Sequence, residues 1–149
     1  MPRKPDKPSV VRRVEAAFAA ACDALAPLAP GNRLLLGCSA GGDSMALLHL
    51  MAGAAKSRKW KLAVVHADHR QRRESAAEAR RVAKEVRALG LDIVVERLSD
   101  ALAAVSPLSE EAMRAARHEI YKRAAAEQQA DALVLAHQAP DSAQPSLLR

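Results

Sequence analysis

The sequence predicts an α/β fold, a parallel sheet with helices on both faces. Three observations carry this. Short continuous apolar runs, such as Leu34-Leu35-Leu36 and Leu62-Ala63-Val64-Val65, alternate with longer segments whose apolar residues recur at helical spacing. The runs are apolar throughout rather than at every second residue, as suits strands covered on both sides. Aromatic residues make up only 2% of the chain, so the core must come from Ala, Leu and Val, which favours helices over an all-β sandwich. Strands separated by helical patterns imply βαβ units, and right-handed crossovers place helices on both faces.

The elements follow in order. Residues 1–9 are basic and carry Pro2, Pro5 and Pro8, so they are expected to form a disordered arm. Val10, Val14, Phe18, Ala21, Leu25 and Leu28 recur on one helical face, and Pro27, Pro30 and Gly31 end that helix. Leu34–Leu36 is the first strand, leading into Gly37 and Cys38. A turn over Ser39–Ser44 opens a helix carrying Met45, Leu47, Leu48 and Met51. Leu62–Val65 is the second strand, ending at His66–His69. Ala79, Val82, Ala83, Val86 and Leu89 form an amphipathic helix stopped by Gly90. Ile93-Val94-Val95 is the third strand. Met113, Ala116, Ile120 and Ala124 lie on another helix, and Leu133-Val134-Leu135 is the fourth strand, ending at Ala136-His137. Pro140 and Pro145 interrupt what would be the next helix. With 149 residues the chain suits one domain, and these prolines lead to the expectation of a domain cut short.

Composition excludes several classes. Cys22 and Cys38 form no CxxC pair, which argues against a zinc ribbon, an iron–sulfur site or a disulfide scaffold. No apolar run approaches the length of a membrane span, and the N-terminal segment lacks the apolar centre of a signal peptide. The expectation is a cytoplasmic protein with no membrane partner. Phe18, Trp60 and Tyr121 are too few to stack a single strand of nucleic acid. The formal net charge of +6 points to an anionic partner, with phosphate-rich ligands foremost.

The most informative segment runs from Leu34 to Leu48. A buried strand enters a turn of small residues, Ser39-Ala40-Gly41-Gly42-Asp43-Ser44, which opens a helix. Small residues let backbone N–H groups approach a phosphate, and the helix N-terminus adds donors and partial positive charge. Ser39 and Ser44 offer hydroxyls. Asp43 suits a metal ion beside the phosphates, or it caps the helix. No Lys follows the glycines, so this is not a Walker A loop, nor is it the GxGxxG fingerprint. On the residues alone, a plain strand-to-helix turn with Asp43 or Ser44 as its cap is an equal reading.

The turn resembles the SGGxDS loop of the N-type ATP pyrophosphatases, the PP-loop superfamily. More narrowly, the chain resembles the tRNA(Ile)-lysidine synthase family. Residues 68–78, Asp68-His69-Arg70-Gln71-Arg72-Arg73-Glu74-Ser75-Ala76-Ala77-Glu78, are similar to that family's DHGLRxES-AAE stretch. Ala115-Ala116-Arg117 with Tyr121 is similar to its AAR…Y helix, and Ala136-His137 with Asp141 to its AHxxDDxxET segment. The four segments stand in the family's order, from about residue 33 to the C-terminus. There are departures. Ala40 stands for a glycine, Arg70 and Gln71 for a small residue and Leu, and Pro140, Gln144 and Pro145 for an acid, Glu and Thr.

The resemblance implies an adenine nucleotide alpha hydrolase-like, Rossmann-like domain over 10–149, present in part, after the arm of 1–9. It implies an ATP- and Mg²⁺-dependent ligase that adenylates the wobble cytidine of tRNA(Ile) and joins L-lysine to it. ATP would sit at the C-terminal edge of the sheet, as in other open α/β sheets. Ser39, Ala40, Gly41, Gly42 and Ser44 would cradle the phosphates, and Asp43 and Ser44 would stand at the chemistry. Asp43 and Asp141 would hold the metal. His66–Asp68 would face the adenine, or would be a strand end with solvated side chains. His137 would line the pocket, or be an ordinary hydrogen-bonded histidine. Arg72 and Arg117 would contact phosphate or tRNA, or be surface arginines. Ser75 with Glu78 reads as a capping box. His49 and His118 lack metal-ligand companions and receive no role. A second reading is a truncated or degenerate nucleotide-binding module without ligase activity. The pattern leaves oligomeric state open.

Overall fold

The computed structural model describes residues 8–105 and 107–136. Helix α1 (Ser9–Ala24) begins one residue inside the expected arm and gives way to a 3-10 turn, Ala26–Leu28, with proline at its start. Strand β1 (Arg33–Gly37), α2 (Gly42–Ala55), β2 (Lys61–Asp68), α3 (Ser75–Ala88) and β3 (Asp92–Arg97) follow. A four-residue helix, α4 (Asp100–Ala103), precedes α5 (Glu110–Glu127) and β4 (Ala132–Leu135).

The strands form one parallel sheet in the order β3-β2-β1-β4. Leu34 lies beside Leu62 on one side and Ala132 on the other. The order reverses between β1 and β4. At such a switch point, successive crossovers leave on opposite faces and a crevice opens at the strand ends.

Alternation along the strands sorts the core into two layers. Leu34, Leu36, Leu62 and Val64 face Leu48 and Met51 of α2 and Val82 and Val86 of α3. Leu35, Val65 and Ala67 face Ile120, Tyr121 and Ala124 of α5. The helices therefore lie on both faces, as expected. Leu34, Leu35, Leu36, Val64 and Val65 are fully buried, which explains their unbroken apolar run. Trp60 is buried with its indole N–H donating to the Leu28 carbonyl at 3.1 Å, and Tyr121 is buried against β1. No described helix is long and apolar enough to cross a membrane.

β2 ends within His66–His69, as expected, and it carries His66, Ala67 and Asp68 as buried strand residues, because β3 pairs with it as far as Asp68↔Arg97. Two local expectations are corrected. Neither Asp43 nor Ser44 caps α2. The cap position is Gly41, with no side-chain bond. Ser75 and Glu78 form no capping box, because the cap of α3 is Glu74 and the Ser75 hydroxyl instead accepts the Arg72 N–H at 3.3 Å.

Candidate functional site

The loop after β1 is built without left-handed backbone. Gly41 has φ −73°, and neither Ala40 nor Gly42 has a positive φ. Ala40, where the family pattern has glycine, therefore carries no backbone strain. Its side chain packs on the core beneath α2, and its carbonyl accepts from Arg81 Nη2 at 2.9 Å. Gly41 is the tight position: an added Cβ would stand 3.3 Å from Ser39 Oγ.

Ser44 locks the loop. It is 5% exposed, and its Oγ lies 2.6 Å from the Ser39 carbonyl, 3.1 Å from the Gly41 carbonyl and 2.9 Å from Ser39 Oγ. Ser39 Oγ also accepts the Gly41 N–H at 3.3 Å. Asp43 stands exposed in the first turn of α2. Cys38 is buried, and burial pushes its thiol pKa up.

The end of β2 forms the second wall. His66 Nδ1 lies 2.8 Å from the Cys38 carbonyl. A carbonyl only accepts, so Nδ1 carries a proton and donates. Asp68 is 4% exposed; its Oδ1 accepts the Arg70 N–H at 3.0 Å, and Arg97 Nε lies 4.0 Å from Oδ2. The reading of His66–Asp68 as solvated side chains is thereby overturned. Arg70 has φ 52°, the left-handed region that favours glycine. This departure from the family's small residue is the strained one, and the Asp68 carboxylate together with an Arg70 Nη1–Asp100 Oδ1 ion pair at 2.6 Å holds it.

These walls enclose a cavity of about 550 Å³, within the usual range for small-molecule sites. Ser39, Ala40 and Gly41 line one side and His66–His69 another. Arg72, Arg81 and Arg117 bring three cations, and Glu78, on α3 with Arg81, brings one carboxylate. His69 Nδ1 and Gln71 Nε2 are buried with no hydrogen-bond partner among the described residues. Gln71 Oε1 accepts the Leu108 N–H at 3.2 Å, which fixes the amide so that its NH₂ is the group left over. Burial, reinforced by Arg117, lowers the His69 pKa. A smaller cavity at the β1/β4 crevice is lined by Ser39, Ser44, Arg117 and Tyr121.

The structure thus brings together Ser39, Ala40, Gly41, His66, Asp68, Arg72 and Arg117 around one space. Gly42 and Asp43 lie at the start of α2, beside it. His137 and Asp141 lie outside the described residues, as do Pro140, Gln144 and Pro145. His69, Gln71 and Arg81 are polar pocket residues that received no separate role from sequence, and Pro107 and Leu108 are apolar ones. His49 faces away and pairs with Glu85 at 2.9 Å.

No group of three His, Cys, Asp or Glu among the described residues is arranged to hold a metal. Mg²⁺ commonly binds through one or two carboxylates and the substrate's own phosphates, so a single carboxylate at the loop fits an ion brought with a nucleotide.

A doubly wound parallel sheet whose β1 strand runs through a turn of small residues into α2 places the chain among the open α/β domains. The family described as a PP-loop domain matches residues 9–149, and the chain belongs to it. It is similar to tRNA(Ile)-lysidine synthase of Streptococcus gordonii, with 31% identity over 136 residues, 91% of this chain and 31% of that protein. It is also similar to tRNA(Ile)-lysidine synthase of Leifsonia xyli, with 40% identity over 123 residues, 82% of this chain and 36% of that protein. The chain thus spans about a third of the length of these relatives. Among solved structures, the U34-tRNA thiolase NcsA from Methanococcus maripaludis, with its [4Fe-4S] cluster, superposes with a TM-score of 0.68. That match has 16% identity and covers 91% of this chain and 53% of the thiolase, a likeness of fold.

Proposed function

We propose that this chain is the ATP-binding part of a tRNA(Ile)-lysidine synthase. The observation that carries the reading is the loop Ser39–Ser44, opening onto a cavity that also holds Arg72, Arg81 and Arg117. The polyphosphate would lie along the Ser39–Gly42 amides, its charge met by the start of α2 and the three guanidinium groups. Asp43 is the residue that would hold Mg²⁺, which supplies charge neutralisation on the phosphates when bound.

The implied chemistry has two displacements. The ring carbonyl oxygen of the wobble cytidine attacks the α-phosphorus, an O–P bond forms, and pyrophosphate leaves. The lysine amine then attacks the activated ring carbon, a C–N bond forms, AMP leaves, and the amine loses a proton. What these residues contribute is position and electrostatics: the loop fixes the leaving pyrophosphate, and Arg117, facing both cavities, stabilises the charge that develops. His69 and Gln71, which line the same cavity, each keep one buried polar atom without a partner among the described residues.

A second reading, nucleotide binding without ligation, is favoured by Gln144 and Pro145, which stand where the family pattern has Glu and Thr. Both readings expect ATP with Mg²⁺ to raise the melting temperature. At a hundredfold excess over Kd the native state gains about 2.7 kcal/mol. A melting temperature unmoved by millimolar ATP overturns both. Incorporation of labelled lysine into tRNA(Ile) by the purified chain separates them, and product formation overturns the second.

A further inference from the structure

A further cavity, about 640 Å³, lies between α3 and the β3 edge. Its floor is made of small residues, Ala76, Ala79 and Ala83. Arg80, Lys84 and Arg87 rise from α3, and Arg97 faces them from β3. We propose that this groove is a docking surface for the sugar–phosphate backbone of an RNA strand. The choice of RNA rests on the reading of the chain as part of a tRNA-modifying enzyme; the polyanion-binding character rests on the groove itself.

The helix sorts its charges. Arg80, Lys84 and Arg87 stand at i, i+4 and i+7, one face of α3. The acids of the same helix point elsewhere, Glu78 to the nucleotide cavity and Glu85 to His49 at 2.9 Å. Asp68, 4% exposed, is the carboxylate among the groove residues, and its cation is Arg97 at 4.0 Å. Arg80, Lys84 and Arg87 make no ion pair among the described residues, and all three are exposed. Such a cationic row repels itself and is relieved by a polyanion. Seven residues of helix rise about 10 Å, over which one strand of a nucleic-acid helix presents about three phosphates. The alanine floor lets a backbone approach the cations without obstruction.

A membrane fits this face poorly. An interfacial helix needs an apolar face free to enter lipid, whereas Val82 and Val86 of α3 are fully buried in the core. Position adds to the argument: Asp68 lines both the groove and the nucleotide cavity, so a strand lying along α3 leads to the site.

The test is fluorescence anisotropy of the full chain with a labelled anticodon stem-loop RNA across a salt series, with the ATP-induced melting shift measured in parallel. Replacing Arg80, Lys84 and Arg87 by Gln is expected to lower the salt slope by about 2–3 and to weaken binding about tenfold or more at about 50 mM salt. The ATP shift stays as in the unmodified chain. Replacing Lys56, Lys59 and Lys61 by Gln removes the same charge near the opposite end of β2 and leaves RNA affinity within about twofold. A variant with Arg80→Lys, Lys84→Arg and Arg87→Lys keeps binding, which separates lost charge from lost fold. Equal losses in both Gln triples overturn the proposal, since the effect is then net charge alone. So does a triple that loses binding to phosphatidylserine vesicles while keeping RNA. An ATP shift without RNA binding overturns the groove alone; absence of both overturns the underlying functional reading as well.

Discussion

Replacing Gly37 by alanine puts one methyl group at the busiest point of the sheet. Gly37 ends β1 at the switch point, paired with Val65 on one side and Leu135 on the other. A Cβ there would overlap Leu135 Cδ2 and would stand 3.0 and 3.1 Å from Cζ and Cε2 of Tyr121. Leu135 ends a flexible side chain on an edge strand and can turn away. The Tyr121 ring cannot, because it is 5% exposed and packed in the layer between α5 and the sheet. Overpacking of this kind costs about 1–3 kcal/mol. For a chain of 149 residues, the usual unfolding entropy per residue converts each kcal/mol into about 3 °C, so the expected loss is roughly 3–9 °C. The assay is thermal unfolding with a double-mutant cycle. Tyr121→Ala alone destabilises, and combined with Gly37→Ala it recovers part of the glycine variant's loss, a coupling of about 0.5 kcal/mol or more between touching residues. A Gly37→Ala chain within about 0.5 kcal/mol of the unmodified one would refute the packing argument.

Two further outcomes follow from the same geometry. Ser44→Ala removes the hydroxyl that binds the Ser39 and Gly41 carbonyls, so chemical denaturation should show a loss of about 1–3 kcal/mol, together with a smaller ATP-induced shift. An unchanged ATP shift would make Ser44 a brace of the loop and remove it from the phosphate contacts. The pH profile has two edges. His69 is held neutral, its pKa below the ordinary 6.5, so the unfolded chain binds more protons and stability falls as pH drops below 6.5. Tyr121 is pushed up to about 12 by burial, so the stability it contributes is complete below pH 10 and is lost as pH rises from 10 to 12. His69→Gln should flatten the acid edge and Tyr121→Phe the alkaline one. An acid edge unchanged in His69→Gln would show that the histidine does not cause it.

The strands were legible in sequence because burial on both faces writes an unbroken apolar run, as at Leu34–Leu36. That signal fails where a buried strand carries polar residues for a purpose. His66 and Asp68 read equally well as a strand end with solvated side chains, yet β3 pairs beside them, His66 reaches the Cys38 carbonyl and Asp68 holds the Arg70 turn. The four residues of α4 are too few to show a period, and its Ser99 cap, accepting from the Leu102 N–H, was the available clue. The Ser39–Ser44 turn between β1 and α2 was legible from its small residues and position. The pocket was not, because it depends on long-range partners. Gln71 is fixed by Leu108 and Ala40 by Arg81, 37 and 41 residues away. The S-x-x-E pattern at Ser75 misled because α3 starts one turn position earlier than the pattern assumes, at the Glu74 cap.

The place of β1 in the sheet has a consequence during synthesis. Its β4 neighbour lies about a hundred residues downstream, and Arg33 meets Asp131 through two bonds of 2.7 Å that close the gap. At about 5–20 residues per second, a ribosome takes roughly 5–20 s to deliver that partner. For that interval the strand bearing the loop offers one bare row of amides and carbonyls to its surroundings. An open edge of Leu-Leu-Leu is an invitation to pair wrongly, so the nascent chain's most vulnerable stretch is also the one on which its chemistry would depend.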